Sequence, residues 1–396
     1  MNENDFRAAW NDIWNQTPSR RSIVRLLGGT ALGAGLMTIG SDAAEAACRK
    51  AGAKCDKQRR CCKGTTCKRG KCACRKGQKA CRGVCRTLKT DPNNCGQCGI
   101  QCDDGATCVS GLCVRAFGEF GAGEGQFSRP FGVDTDGEGR IYVAEFGNSR
   151  IQVFEPDGTF VRQFGERGQG DGEFVNPFGL AVAANGDIYV ADTENHRVQH
   201  FRNDGNHIRS WGSIGAAVGQ FNQPQAIAVA DNTVVVSDTG NHRLQLFTAT
   251  GSFVRRFGDL GAGEGEFDSP RGVALDANRN IYVVDAENHR VQVFAPDGTF
   301  LRTWGQRGAE NGNFNRPNGI AIDPDGNVVV ADTDNHRIQE FTADGTFVRT
   351  LGRFGNGLGE MQDPLSVTVD GRGLITVADT TNDRIQQFDV RQGGST

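Results

Sequence analysis

The sequence predicts an all-β protein in which a closed six-bladed β-propeller, residues 114–390, follows a small disulfide-rich module, residues 48–113. Three observations carry this prediction. A proline, any residue, a small residue and an apolar residue recur in that order six times, at intervals of 46 or 47 residues. Each interval holds four segments with strand character, separated by turns rich in Asp, Gly and Asn, as in a propeller. All 14 cysteines lie between Cys48 and Cys113, before the repeats begin.

Each repeat predicts four consecutive strands. The repeats begin at Pro130, Pro177, Pro224, Pro270, Pro317 and Pro364. The proline opens a first strand; a second strand such as Ile141–Ala144 ends at an acidic residue, and a turn containing Asn-x-Arg leads to a third, such as Ile151–Phe154. A fourth, such as Thr299–Gly305, follows an Asp-Gly turn. The Asn-His-Arg triplets and these strands resemble the NHL-repeat family in all six units, and the resemblance implies a six-bladed propeller.

The two ends of the repeat region predict how the ring closes. The sixth unit stops after its third strand, Ile385–Phe388, whereas a strand of the fourth type, Val114–Gly118, precedes the first unit. Its Phe117-Gly118 pair matches Phe164-Gly165 and the corresponding pairs of the other units. We therefore expect the last blade to combine both ends of the propeller segment, which leaves no long open edge. Residues 391–396 are expected to form a flexible tail.

Residues 1–47 are interpreted as an export signal. Ser19–Arg25 resembles the twin-arginine signal, Leu26–Ile39 is apolar but too short to span a bilayer, and Ala44-Glu45-Ala46 gives a small-x-small cleavage pattern. The resemblance implies a protein exported by the twin-arginine route that is secreted or associated with the cell envelope, without a transmembrane span. An ordinary buried helix and a lipoprotein anchored through Cys48 are the alternatives.

The cysteines are expected to form disulfides. They are Cys48, Cys55, Cys61, Cys62, Cys67, Cys72, Cys74, Cys81, Cys85, Cys95, Cys98, Cys102, Cys108 and Cys113. A zinc site is the alternative, but Cys95-x2-Cys98 is the one CxxC motif and the segment contains no histidine.

Two resemblances describe the cysteine-rich module. The first six cysteines, with an adjacent pair in the middle, resemble knottin scaffolds, and that resemblance implies the bonds Cys48–Cys62, Cys55–Cys67 and Cys61–Cys72. The stretch Asp91–Gly99 and the three cysteines after it resemble modules related to the plant stigma-specific protein family. Because eight cysteines allow many connectivities, the pairing of the last eight stays open.

The charge differs sharply between the segments. The formal balance is +12 for residues 48–113 and −14 for residues 114–396. The positive charge is either an ordinary solvated surface or a site for anionic cell-envelope polymers. Nucleic acid is not expected, because residues 48–81 lack the aromatic side chains that stack on bases.

The most regular polar residues are interpreted as architecture. An acidic residue ends each second strand and an arginine follows five residues later, in every unit. A single catalytic centre has no need of six copies, so the acidic residue is expected to accept hydrogen bonds that fix the turn. Asp-x-Asp-Gly segments such as Asp134–Gly137 resemble calcium loops but lack the later Glu, which favours hairpin turns.

Four of these turns carry a histidine, and no cofactor is expected unless these residues bind zinc or the Asp-rich turns bind calcium. The candidate ligands are His196, His242, His289 and His336. Peptidylglycine amidating lyase resembles this family and uses histidine-bound zinc, which motivates the zinc alternative.

A ligand site is expected where the six copies differ. The residue after the proline that begins each repeat, here called the landmark proline, should lie near the mouth of the central channel. Phe146 breaks the consensus of the first unit. The candidate site residues are Phe131, Phe146, Phe178, Gln225, Arg271 and Asn318. Aromatic side chains on one side and polar ones on the other suit a peptide, a sugar or another small amphipathic ligand, whereas packing of the mouth is the structural alternative.

No nucleophile–base pair or phosphate loop is apparent in the sequence, so no catalytic residue is assigned. We therefore expect an exported, non-catalytic binding or scaffold protein whose propeller face takes a protein, peptide or carbohydrate ligand. A lyase or hydrolase with a metal at the channel mouth is the alternative.

Overall fold

The computed structural model describes residues 65–68, 71–81, 84–98, 100–103 and 105–390. These residues form 29 β-strands and four single-turn 3-10 helices. None of the helices in these ranges has the length and apolar character that a membrane crossing needs. The proposed export signal, the C-terminal tail and the four earliest cysteines lie outside the described residues, so the knottin-like pairings are not addressed.

The cysteine-rich module contains two short hairpins and a network of disulfides. Strands β1 (Thr65–Lys68) and β2 (Lys71–Cys74) form the first hairpin, and β3 (Lys79–Cys81) and β4 (Val84–Arg86) form the second. Four disulfides join Cys74 to Cys85, Cys81 to Cys98, Cys95 to Cys108, and Cys102 to Cys113. Cys67 and Cys72 are also disulfide-bonded. The disulfide prediction is therefore confirmed for these ten cysteines, and Cys95 and Cys98 belong to two different bonds.

Five blades are continuous four-stranded antiparallel sheets. Blade 1 contains β7 (Pro130–Thr135), β8 (Ile141–Glu145), β9 (Arg150–Phe154) and β10 (Phe160–Phe164). Blade 2 contains β11 (Leu180–Val182), β12 (Ile188–Asp192), β13 (Arg197–Phe201) and β14 (His207–Trp211). Blade 3 contains β15 (Pro224–Ala230), β16 (Thr233–Asp238), β17 (Arg243–Thr248) and β18 (Phe253–Phe257).

The second half of the ring repeats this arrangement. Blade 4 contains β19 (Pro270–Leu275), β20 (Ile281–Asp285), β21 (Arg290–Phe294) and β22 (Phe300–Trp304). Blade 5 contains β23 (Ile320–Ile322), β24 (Val328–Asp332), β25 (Arg337–Phe341) and β26 (Phe347–Leu351). Blade 6 begins with β27 (Pro364–Val369), β28 (Leu374–Asp379) and β29 (Arg384–Asp389). The 3-10 turns are Thr193–Asn195, Thr239–Asn241, Thr333–Asn335 and Thr380–Asn382.

Blade 6 closes the ring with chain from the other end of the propeller, as the sequence predicts. Strand β6 (Leu112–Phe117) pairs antiparallel with β29, and Ile385 lies opposite Phe117. One feature was not anticipated: β5 (Thr107–Val109) adds a fifth strand outside β6. Because Cys108 lies on β5 and Cys113 on β6, two disulfides of the module hold the hairpin that closes the propeller.

The first strands of blades 2 and 5 start later than predicted. The landmark proline opens the strand in the other four blades, whereas β11 and β23 begin three residues after Pro177 and Pro317. An isolated pair of hydrogen bonds precedes β11, from the Phe178 amide to the Ala191 carbonyl and from the Ala191 amide to the Gly179 carbonyl. These bonds join the segment before β11 to β12 without regular strand pairing.

The small residue of the landmark is required by the close approach of neighbouring inner strands. A Cβ atom on Gly132 would lie 2.5 Å from the Phe178 carbonyl oxygen, and one on Gly179 would lie 2.4 Å from that of Gln225. Apolar side chains fill the spaces between successive blades. In the space next to the closure, Phe117 of β6 packs against Phe154 with ring centroids 5.0 Å apart.

Candidate ligand-binding face

A buried carboxylate organises the polar turn in every blade. In blade 3, Asp238 Oδ1 accepts a hydrogen bond from the Asn222 amide at 2.7 Å. Its Oδ2 accepts from Arg243 Nε at 2.6 Å and from Gln245 Nε2 at 3.0 Å, and Asn241 Nδ2 donates to the carboxylate at 2.9 Å. The predicted role of the acidic residue is therefore confirmed. Burial raises the pKa of Asp238, whereas the surrounding donors and Arg243 act in the opposite direction.

The same network fixes the loop that enters each blade. Arg243 Nη1 donates to the Ala216 carbonyl at 2.6 Å, and Asn241 Nδ2 donates to the Gly215 carbonyl at 2.9 Å. Equivalent bonds recur around the ring, for example from Arg384 to the Asn356 carbonyl at 2.9 Å. The entering loops and the polar turns therefore share one face of the propeller, which we call the link face.

Four histidines of the link face connect one blade to the next. Each lies in a left-handed backbone conformation, with φ between 53° and 55°. The Nδ1 atom of each imidazole accepts a hydrogen bond of 3.0–3.2 Å from a backbone amide of the next loop. The donors to His196, His242, His289 and His336 are the amides of Gln223, Ser269, Arg316 and Asp363, respectively. Asp383 takes the place of histidine in blade 6, and its Oδ1 accepts from the Arg129 amide at 2.8 Å. One ring nitrogen of each histidine is therefore occupied by the scaffold.

The residues predicted for the channel mouth do come together there. Phe131 and Phe178 are buried with ring centroids 4.7 Å apart, and the half-buried Phe146 lies 4.4 Å from Phe131. On the other side, Arg271 donates to Glu287 at 3.3 Å, and the side-chain amide of Asn318 lies 3.3 Å from Arg271 Nη1, where its oxygen accepts a hydrogen bond once the amide is turned over. Burial lowers the pKa of Arg271 to about 10.

These side chains fill the mouth. Gln225, Asn318 and Leu365 are buried alongside the phenylalanines. Together with the inner strands, these buried residues line a cavity of about 220 Å³. Its wall includes Asp134, which accepts hydrogen bonds of 2.8 Å from the Val182 amide and from Thr368 Oγ1. Ligand binding at the mouth stays a prediction, and Phe146 is the member of the set that a ligand at the surface can reach most readily.

The link face also carries a set of exposed side chains that the sequence analysis missed. They stand two residues after the glycine that follows each fourth strand, one per blade, and we call them the loop ring. Its members are Phe120, Arg167, Ile214, Leu260, Arg307 and Phe354. Phe120 is 74% exposed, Ile214 65%, and Leu260 and Phe354 64%. Aligning the six repeats would have revealed the position, since apolar residues are unusual beside the charged residues of these loops.

Comparison with protein families supports this assignment of the repeats. The model of the NHL repeat matches residues 127–154, 174–201, 221–247, 267–294 and 314–341, which are five of the six units. The chain contains NHL repeats. The unmatched unit has Met361 where the matched segments begin with a buried phenylalanine. The stigma-specific STIG1-like protein family matches residues 65–116, which include the described hairpins of the module and all but the last residue of β6.

Curated relatives share short stretches with this chain. The E3 ubiquitin-protein ligase TRIM71 of Rattus norvegicus is 56% identical over 50 residues, which are 13% of this chain and 6% of that protein. The B-box type zinc finger protein ncl-1 of Caenorhabditis elegans is 57% identical over 44 residues, which are 11% and 5% of the two chains. The chain therefore matches only about a twentieth of the length of these relatives.

Solved structures share the fold of the NHL propeller. A gluconolactonase from Xanthomonas campestris has a TM-score of 0.53 at 14% identity, covering 70% of this chain and 89% of its own. A streptogramin B lyase has a TM-score of 0.51 at 14% identity, covering 70% and 97%. A Bacteroides thetaiotaomicron protein has a TM-score of 0.57 at 18% identity, covering 71% and 77%. At these identities the likeness concerns the fold alone.

Two constellations in the NHL propeller resemble catalytic or metal sites. His207 Nε2 lies 2.8 Å from Ser210 Oγ and 3.5 Å from Asp171 Oδ1. Because one ring nitrogen makes both contacts, the three residues do not form the relay of a serine hydrolase. In the described part of the chain, three metal-ligating side chains converge only at Cys95, Cys102 and Cys113, all of which are in disulfides. The geometry therefore adds no support to zinc at the four histidines.

The hydrogen bonds that the link-face histidines accept should make the free energy of unfolding depend on pH. Burial lowers the pKa of His242 and His289, although Asp268 and Glu287 oppose this effect. Unfolded histidine takes up its proton near pH 6.5, and the folded rings do so at lower pH. Their contribution to stability is thus present above about pH 6.5 and is lost as the pH falls through the lower folded pKa.

Urea unfolding between neutral and mildly acidic pH tests this. Replacing both His242 and His289 by Asn keeps an acceptor and tolerates the left-handed backbone, so the variant should lose part of the pH dependence of the wild type. An unchanged pH profile in the double variant would contradict the assignment.

Proposed function

We propose that this chain is a non-catalytic binding protein whose link face takes another protein, outside the cytoplasm. The observation that carries the proposal is the loop ring, which holds four large apolar side chains exposed on loops whose carbonyl groups accept hydrogen bonds from arginine side chains. Exposed apolar side chains on a rigid scaffold are typical of protein contact surfaces. The disulfides support an oxidising environment, and the twin-arginine-like segment supports export as the route to it.

A protein partner is favoured over a sugar or a small ligand. Phe131, Phe178, Gln225 and Asn318 are buried, so their side chains offer little surface to a small ligand at the channel mouth. The enzyme alternative has support only from the fold, because lyases and lactonases share it, and a fold does not determine an activity. Stoichiometric zinc in the purified protein would favour that alternative.

Capture of proteins from a cell-envelope extract tests the proposal. The Phe120→Glu, Phe354→Glu double variant places charge on the loop ring and should lose proteins that the wild type captures, because buried charge opposes association. Leu301→Glu is the matched control, since Leu301 is 44% exposed on the outer strand of blade 4, away from the link face. Identical sets of captured proteins from all three forms would overturn the proposal.

A further inference from the structure

The six loops of the link face are not equivalent. Five carry charged side chains, for example Glu119 and Glu124 before blade 1 or Glu166 and Asp171 before blade 2. The loop before blade 3, residues 213–220, has none. It presents Ile214 from the loop ring and also Val218, which is 58% exposed. On an acidic propeller, this loop is the uncharged exception.

Blade 3 also gains a positive charge beside this loop. Arg256 lies at the exposed position of the outer strand where the other continuous blades have Gln163, Ser210, Thr303 and Thr350. No ion pair within the described residues involves Arg256.

The repeat places Arg256 and Val218 at positions that are neighbours in other blades. In blade 2, Ser210 Oγ lies 3.3 Å from Asp171 Oδ1, and in blade 5, Thr350 Oγ1 lies 3.4 Å from Asn311 Oδ1. Arg256 and Val218 occupy the same two positions in blade 3. Blade 3 thus has an apolar residue where blade 2 has Asp171 and blade 5 has Asn311, and a base where those blades have Ser210 and Thr350.

Leu260 extends this surface. It follows the last residue of β18 by three positions, at the outer end of the same blade, and is the next member of the loop ring. We call Ile214, Val218, Arg256 and Leu260 the blade 3 patch. The blade 3 patch combines three exposed apolar side chains with the exposed Arg256, and the loop that carries Ile214 and Val218 contains no carboxylate.

We propose that the blade 3 patch binds a protein segment in which large apolar side chains flank an aspartate or glutamate. The apolar groups would cover Ile214, Val218 and Leu260, and the carboxylate would pair with Arg256. Charge complementarity selects this partner, since elsewhere on the link face the carboxylates of the propeller repel an acidic segment. This inference rests on the proposed function and names the site and chemistry of the partner.

Selection of displayed random dodecapeptides on the full chain tests the inference. Enriched peptides should combine Leu, Phe or Trp with Asp or Glu, and synthetic fluorescent copies allow affinity to be measured by polarisation. Val218→Glu should weaken their binding about thirtyfold, as for a central apolar contact. Arg256→Glu should weaken it about tenfold, and a lysine in place of the peptide's acidic residue should restore most of that loss. Leu301→Glu, the control, should leave affinity unchanged.

The outcomes separate this inference from the proposed function. Peptides that bind Val218→Glu and Arg256→Glu as well as the wild type, but lose affinity for Phe354→Glu, would overturn the patch and leave protein binding at the link face in place. Affinity that is unchanged in all of these variants would overturn both. Failure of the lysine peptide to recover affinity for Arg256→Glu would also overturn the charge pairing.

Discussion

Replacing Asp238 by Ala is expected to destabilise the protein by about 3–5 kcal/mol, because the substitution leaves Arg243 buried without its counter-ion. Arg243 and Gln245 lose their shared acceptor, and the Asn222 amide loses the bond that joins the entering loop to blade 3. These groups are enclosed by protein, so water cannot readily replace the missing oxygens.

Urea unfolding at neutral pH measures the effect. Asp259→Ala is the matched control, since Asp259 is exposed and its replacement removes the same charge from the loop before blade 4. The control should differ from the wild type by less than about 0.5 kcal/mol. If the two variants proved equally stable, the carboxylate network would not be the element that holds the loops in place.

Removing the Cys102–Cys113 disulfide is expected to loosen the closure of the propeller, although the blades beyond Cys113 contain no cysteine. A loop of this size contributes about 3 kcal/mol to stability when it is closed by a disulfide. Cys113 lies opposite Asp389 in the β6–β29 pairing. Greater backbone mobility at Cys113 should therefore weaken the pairing of the closing strand directly.

Hydrogen exchange of the β29 amides, Arg384–Asp389, reports on this pairing. They should lose protection in the Cys102→Ala, Cys113→Ala variant, whereas the amides of β25 in blade 5 should lose less. The Cys74→Ala, Cys85→Ala variant is the control, because that disulfide spans the same sequence separation of 11 residues but touches neither β5 nor β6. Equal loss of protection in the two variants would refute the special role of the closing hairpin.

Sequence reasoning reached the ring, its closure and the role of Asp238 because each depends on a repeated local pattern. It did not reach the disulfide pairing of the last eight cysteines, since spacing does not determine which sulfurs meet. The fifth strand β5 was missed because its pairing with β6 depends on the fold of the module. The loop ring was missed for a different reason: Phe120 is exposed and Phe127 is buried in the same loop, and a loop has no strand periodicity that would distinguish the two from sequence.

The closing strand has a consequence for the order in which this protein is made. During synthesis β6 leaves the ribosome before blades 1 to 5, whereas its partner β29 is the last strand among the described residues. Blades 1 to 5 can form as translation proceeds, but blade 6 must wait for almost the entire chain. Such a pairing between distant segments slows folding, and an unpaired strand edge invites aggregation in the meantime. Strand β5 covers one of the two edges of β6 during that wait, leaving only the edge that β29 will take.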